Sequence, residues 1–381
     1  MEISELRQQI DSVDKELVEL FKKRMNIAAD VAEYKRMNNM KVLDASRERA
    51  LLAKVSELSG EEFEEYTRVL YSTILDISRA YQHKRLGNTS DFCAKIETAL
   101  ANTKKIFPET ATVACQGMEG AYSQIAAERL FKAPSIMFFS SFDKVFSAIE
   151  AGMCRYGVLP IENSTAGSVK QVYDLMISRN FKIVRSVRIK IDHNLLVNKG
   201  TKLSDITEIF SHEQAINQCS EFLHDLGEEV KITRVENTAT AARMVAESGR
   251  NDVASLSSRS CANEYGLSVL ASAVQNNGNN HTRFICITRD LEIYPGADRT
   301  SIMLVTPHKP GALYKILSRF NALGVNLLKL ESRPLPDRDF EFMFYFDIEA
   351  SVYSEKLPSL LAELEEECDE FTYLGSYSEV I

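Results

Sequence analysis

Residues 276–287 read Asn-Asn-Gly-Asn-Asn-His-Thr-Arg-Phe-Ile-Cys-Ile. A run of Asn and Gly is turn chemistry, unsuited to the inside of a helix or strand. Phe284, Ile285, Cys286 and Ile287 directly behind it read as a buried strand. Thr282 and Arg283 therefore stand where a loop enters a rigid strand, a usual place for a reactive group. A polar loop whose Thr merely opens a strand is the plain alternative, and the rest of the chain decides between the two.

At 381 residues the chain predicts two or three domains. Hydrophobic residues make up 45% and charged residues 26%, ordinary for a soluble chain with a full core. The net charge of −9 gives no basic field for nucleic acid or an anionic membrane. No apolar run approaches the roughly 18 residues of a membrane span. The acidic, amphipathic start is unlike a signal peptide. Cys93, Cys115, Cys154, Cys219, Cys261, Cys286 and Cys368 are scattered and never paired as C-x-x-C, which predicts reduced, mostly buried thiols in a cytoplasmic protein. The histidines show no ligand spacing, so no metal is expected. No G-x-G-x-x-G follows a strand, so no dinucleotide cofactor is expected either.

In the first 86 residues, Ile3, Leu6, Ile10, Val13, Leu17, Leu20, Ile27, Val31 and Tyr34 fall at alternating gaps of three and four. This is a heptad seam on one long helix. Arg24 interrupts the seam, and a charge there is costly unless something anionic meets it. Lys35 lies about 20° round the helix from Arg24, on the same face, whereas Arg7 is roughly 100° out of phase and fits a different pocket, on a partner helix. Asp44 caps a second helix with Arg47 and Glu48 in its first turns. A third helix follows Gly60, with Ser78 and Gln82 one turn apart. The region carries 15 Lys+Arg against 16 Asp+Glu, so its cations are placed singly rather than as a basic face.

Arg7, Arg24, Lys35, the run Asp44-x-x-Arg47-Glu48 and the pair Ser78 and Gln82 closely resemble the all-helical class of chorismate mutase over about residues 1–86. The resemblance implies an intertwined helical dimer. Its pocket would take Arg24, Lys35, Asp44, Arg47, Glu48, Ser78 and Gln82 from one chain and Arg7 from the other. Chorismate rearranges by a concerted shift without nucleophile or proton transfer, so the protein holds the folded conformer and stabilises charge on the ether oxygen. Arg7, Arg24 and Arg47 suit its carboxylates. Lys35 and Gln82 are candidates for the ether oxygen, and Glu48 only if protonated. Asp44 suits the substrate hydroxyl.

Residues 87–111 read as a linker with a short helix. From Thr112 strands and helices alternate, and polar clusters recur at strand ends, the ligand position of an α/β sheet. They are Gly117–Ser123, Glu162-Asn163-Ser164 after Pro160, Ser211 with Gln214 and Gln218, and Glu236 with Thr238. With the Thr282-Arg283-Phe284 loop they strongly resemble prephenate dehydratase over about 112–288. The resemblance implies two lobes like a periplasmic binding protein, crossing near 187–192 and near 270, with the site in the cleft. It puts Thr282 at the departing hydroxyl of prephenate, as general acid or strong hydrogen-bond donor. Arg283 would assist it or bind a carboxylate. Glu162 and Glu236 would repel a dianion and are expected near the hydroxyl.

Residues 299–381 carry 8 Lys+Arg against 14 Asp+Glu and read β-α-β-β-α-β, the split ferredoxin-like motif. Gly311-Ala312-Leu313, Asn326 and Glu331-Ser332-Arg333 before Pro334 resemble the amino-acid-sensing ACT module of phenylalanine-inhibited dehydratases. That implies L-phenylalanine binding at these residues between paired copies. The full expectation is a multidomain enzyme: an all-α mutase (1–86), an α/β two-lobed dehydratase (112–290) and an α+β sensor (299–381). It takes chorismate and prephenate, is inhibited by L-phenylalanine, and forms a homodimer or homotetramer. A non-catalytic ligand sensor built from the same parts is the alternative, against which Arg24 and the Thr-Arg-Phe loop argue.

Overall fold

The computed structural model describes residues 2–380 except 39, 87–90, 336, 337, 339, 340 and 355. The first residues of the expected linker (87–90), the strand start at Phe340 and the helix start at Glu355 lie outside the described residues. The chain divides into two compact units, one of residues 1–98 with 353–368 and one of 99–352 with 369–381.

In the first unit the seam sequence forms one helix, Ile3–Met37, which packs on a second, Ala45–Leu86. Asp44 Oδ1 accepts the Arg47 N–H at 2.9 Å, the expected cap. Gly60 breaks the second helix at φ 71°, a left-handed value that favours glycine. Only Met25 and Ala32 of the first helix are buried. The heptad seam is open along its length, with Ile3 and Leu20 each 65% exposed and Val13 63%.

The second unit holds strands β1 (Thr110–Gln116), β2 (Ala133–Phe139), β3 (Tyr156–Asn163), β4 (Gly167–Ser168) and β5 (Lys182–Lys190). They are followed by β6 (Asn194–Val197), β7 (Glu208–Ser211), β8 (Lys231–Arg234), β9 (Val253–Ser257) and β10 (Ser268–Ala271). β11 (His281–Thr288), β12 (Arg299–Val305), β13 (Asn326–Pro334), β14 (Phe342–Glu349) and β15 (Glu370–Val380) complete it. Among the described residues they make two sheets. The larger runs β13-β14-β12-β15-β5-β11-β3-β1-β2 with β4 against β3; the smaller runs β10-β6-β9-β7-β8. The chain passes between lobes after Lys190 and returns before His281, near the crossings expected from sequence.

The large sheet ignores the boundary that the sequence suggests near residue 299. β15 lies parallel to β5, from Ser378 opposite Arg185 to Val380 opposite Val187, so the C-terminal strands continue the first lobe's sheet. Gly375 makes this join possible: a Cβ there would come within 2.3 Å of the Ile183 carbonyl oxygen. β3 and β11 lie inside this sheet, and Leu159, Ile161, Ile285 and Ile287 are fully buried. That burial fixes the strand pair from which the site residues project. No disulfide forms among the described residues, and each cysteine but Cys368 is buried.

Candidate active site

Strand alternation decides what the Thr-Arg-Phe stretch can do. Successive side chains on β11 point to opposite faces, so Thr282 and Phe284 face one way and Arg283 the other. On β3, Asn163 pairs with Thr282 and Glu162 with Arg283, but Phe284 pairs with Pro160. The skipped residue, Ile161, is a bulge. It lets Pro160 and Asn163, three residues apart, line the same cavity as Thr282 and Phe284.

That cavity, about 560 Å³, lies between the two lobes. Thr282, Asn163, Gln214, Gln218, Glu236 and Thr238, six of the residues singled out by sequence, line it together. Ser123, Tyr122 and His193 line it as well, and among the described residues no Lys or Arg does. The helices Tyr122–Leu130, Lys170–Ser178 and Thr238–Ser248 begin at its wall, and their N-termini carry partial positive charge. The glycine turn of the first lobe is pressed on the second: a Cβ on Gly120 would meet Cys261 Sγ at 2.7 Å, and Ser258 Oγ donates to the Gly120 carbonyl at 2.9 Å.

A chain of amides organises the polar wall. Asn163 Oδ1 accepts the backbone N–H groups of Thr165 (3.0 Å) and Ala166 (2.8 Å). This fixes which end of the amide is nitrogen. Asn163 Nδ2 then donates to Thr282 Oγ1 (2.9 Å) and Asn280 Oδ1 (2.7 Å). Asn280 Nδ2 donates to Gln218 Oε1 (3.0 Å), which lies 2.9 Å from His193 Nε2. Because Thr282 Oγ1 accepts from Asn163, its own O–H is left to donate elsewhere. A second cavity, about 540 Å³, shares Gln214 and Gln218 and is walled by Asn280 and the loop Gln275–Asn277.

Four expectations are corrected. Ser211 is fully buried and spends its hydroxyl on the Leu256 carbonyl at 2.9 Å, away from the cavity. Ser164 is exposed and ties the loop to the strand, accepting the His281 N–H at 2.9 Å and donating to the Asn279 carbonyl at 3.2 Å. Arg283 lies on the opposite face, paired with Asp347 and 3.7 Å from Glu162. Asp347 is fully buried and also accepts from Ser301, from Tyr345 at 2.6 Å and from Tyr377 at 3.3 Å. Burial works to lower the Arg283 pKa, but Asp347 together with Tyr377 and Tyr345 outweighs it and raises the value. Glu162 does not line the cavity and pairs instead with Lys329 Nζ at 2.7 Å. Strand alternation accounts for both: Arg283 next to Thr282, and Glu162 next to Asn163, face away from the cavity.

The residues expected to hold phenylalanine also divide by face. Glu331 accepts from Ser168 Oγ at 2.6 Å, and Arg333 grips Asp174 with two bonds of 2.8 and 2.9 Å, so both are engaged with the first lobe. This corrects the expectation that they are ligand residues. Asn326 and Ser332 are exposed, Asn326 donating to Glu349 at 3.0 Å. Gly311, at φ 81°, precedes the helix Ala312–Ala322, with Ala312 and Leu313 in its first turn.

In the helical unit, Arg24 donates to Ser78 Oγ, and Gln82 is buried with its Oε1 unpartnered. Lys35 Nζ donates to the Val42 carbonyl. Glu48 is taken by Arg79, which also binds Asp76 and, at 3.0 Å, Glu367, so Glu48 is not free for an ether oxygen. Arg7, Asp44 and Arg47 are exposed. Arg79 and His193 carried no periodic or motif signal in the sequence, and Asn280 stood out only as part of a turn-forming Asn run.

A family model described as prephenate dehydratase matches residues 113–292, and one described as chorismate mutase type II matches residues 6–83. The bifunctional chorismate mutase/prephenate dehydratase of Escherichia coli K12 is 32% identical over 382 residues, covering 98% of this chain and 95% of the relative. An arogenate dehydratase/prephenate dehydratase of Arabidopsis thaliana is 38% identical over 277 residues, 70% of this chain and 72% of the relative. Among solved structures, the prephenate dehydratase of Arthrobacter aurescens in complex with L-Phe is similar with a TM-score of 0.64 at 28% identity, over 70% of this chain and 89% of that one.

Proposed function

The chain belongs to the bifunctional chorismate mutase/prephenate dehydratase family, and from that premise we propose which residues carry each reaction and how the product is sensed. It is an enzyme with both activities, converting chorismate to prephenate and prephenate to phenylpyruvate.

The dehydration belongs to the cavity of Thr282. Prephenate loses its ring hydroxyl as its ring carboxylate leaves as CO2, and aromatisation drives the step. The protein adds a hydrogen bond at the departing oxygen and holds the carboxylates. The observation that carries this reading is the amide chain that turns the Thr282 O–H away from Asn163. Helix N-termini take the carboxylates. Gln214, Gln218 and Thr238 complete the polar wall. Glu236 sits by the hydroxyl rather than by the carboxylates.

The rearrangement belongs to Arg24, Ser78, Gln82 and Lys35, with Arg7 supplied by a second copy. Arg24 neutralises a carboxylate. Lys35 and the amide N–H end of Gln82 donate to the ether oxygen. The open heptad seam supports an interlaced homodimer, since exposed apolar stripes of this length mark interaction surfaces.

L-phenylalanine binds at Gly311–Leu313, where the helix start takes its carboxylate, between two copies of an ACT module paired through the exposed face of β13. Leu328 and Leu330 on that face are exposed, which supports the pairing. The opposite face of β13, through Lys329, Glu331 and Arg333, holds the first lobe and carries the signal. Assays of chorismate loss and phenylpyruvate gain, with sedimentation, each with and without L-phenylalanine, test the scheme. It predicts two activities and a larger or rearranged oligomer when dehydration is inhibited. Phenylpyruvate formation indifferent to L-phenylalanine would refute the sensing part.

A further inference from the structure

His193 lines the Thr282 cavity but has no part in the reading above. It sits in the first crossover between lobes, buried to 4% exposure. Its backbone is clasped to the second crossover: its N–H donates to Gln275 Oε1 at 2.9 Å, and its carbonyl accepts from Val274 at 2.8 Å. The ring is therefore held rather than free to swing out.

The tautomer of that ring can be read from the amide chain. The backbone N–H groups of Thr165 and Ala166 fix Asn163, Asn163 fixes Asn280, and Asn280 fixes Gln218 with its oxygen toward His193. Nε2, 2.9 Å from that oxygen, must carry the hydrogen. Nδ1 is then a bare lone pair, and it is buried with no partner. A buried acceptor without a donor is unfavourable, so this nitrogen is available to a donor that enters the cavity.

We propose that His193, as a neutral imidazole with hydrogen on Nε2, binds substrate through Nδ1 by accepting the hydrogen of the ring hydroxyl that departs. This rests on the dehydratase reading of the cavity. At neutral pH prephenate carries two carboxylates, a ketone and one hydroxyl, so the hydroxyl is its single donor and the one group Nδ1 can accept. Fixing that hydrogen turns the oxygen's lone pairs toward the Thr282 O–H. His193 thus orients the leaving group and supplies no proton.

Asp192, next to it in the chain, and Gln218 act on the ring, while Tyr122, His212 and Glu236 are the other titratable groups that line the cavity with it. Burial holds the imidazole below its ordinary pKa of 6.5, against the opposing pull of the Gln218 bond and Asp192. The neutral, working form is lost as pH falls through that lowered value.

The test uses the full chain with prephenate as substrate, scanning pH for wild type, His193→Phe and His193→Asn. Wild-type turnover establishes the dehydratase reading by itself. His193→Phe is expected to lose about 100-fold in kcat/KM, the usual consequence of removing a buried hydrogen-bond partner. His193→Asn, which places an acceptor near the Nδ1 position, is expected to stay within about tenfold and to lose the acid limb of the profile. Mutase turnover serves as the folding control in each variant. A His193→Phe protein within about threefold of wild type overturns the proposal, as does an acid limb that survives in His193→Asn or a wild-type rate that rises on acidification.

Discussion

Replacing Asn163 by Asp changes one atom and reverses its chemistry. The side chain keeps its shape, and Oδ1 keeps the N–H bonds from Thr165 and Ala166. The atom that donated at 2.9 Å to Thr282 Oγ1 and at 2.7 Å to Asn280 Oδ1 becomes an acceptor. Losing two hydrogen bonds costs about 2–3 kcal/mol. The new carboxylate would also force the Thr282 hydrogen toward itself and away from the substrate. Across about 6 Å at an effective dielectric near 20, it repels each substrate carboxylate by roughly 3 kcal/mol. The sum, about 8–9 kcal/mol, predicts a fall in dehydratase kcat/KM of roughly a million-fold. Phenylpyruvate formation from prephenate reads this directly, and the mutase rate of the same protein should be unchanged. A loss smaller than tenfold would refute the orientation of Thr282 argued from these amides.

Two further perturbations separate the remaining parts. Asp347→Asn keeps an acceptor for Ser301 and Tyr345 but leaves Arg283 buried without its partner, which predicts about 3–5 kcal/mol of destabilisation. Calorimetry should show the transition of the second unit falling by on the order of 10 °C, and a shift below about 2 °C would contradict the pairing. Arg24→Gln removes a charge-assisted contact to a substrate carboxylate and should lower chorismate turnover about 100-fold with prephenate turnover intact; equal losses in both would count against separate sites.

Much of this arrangement was legible before any fold was known. Polar groups at the ends of buried strands marked Asn163, Gln214, Gln218, Glu236, Thr238 and Thr282, and all six meet at one cavity. Period-two alternation, applied to the same stretch, would also have sent Arg283 to the far face. The same alternation sends Glu162 away from the face of Asn163, whereas Pro160 shares that face only through the bulge at Ile161, a property of the pairing with β11. His193 carries no local signal, and Asn280 only that of a turn-forming Asn run: their roles exist only when two crossovers and a loop come together. The boundary drawn near residue 299 marks a real change of pattern, yet β15 carries the sheet across it through Gly375. Glu331 and Arg333 look like ligand residues in a motif, and only the sheet's outer face shows them holding Ser168 and Asp174.

The most direct measurement is on Thr282→Val in the full chain, supplied with chorismate and followed for both products. The account predicts chorismate consumed at the wild-type rate, prephenate accumulating, and phenylpyruvate formation down by about 100- to 1000-fold, the usual loss for one transition-state hydrogen-bond donor. Phenylpyruvate appearing within about tenfold of the wild-type rate would contradict it.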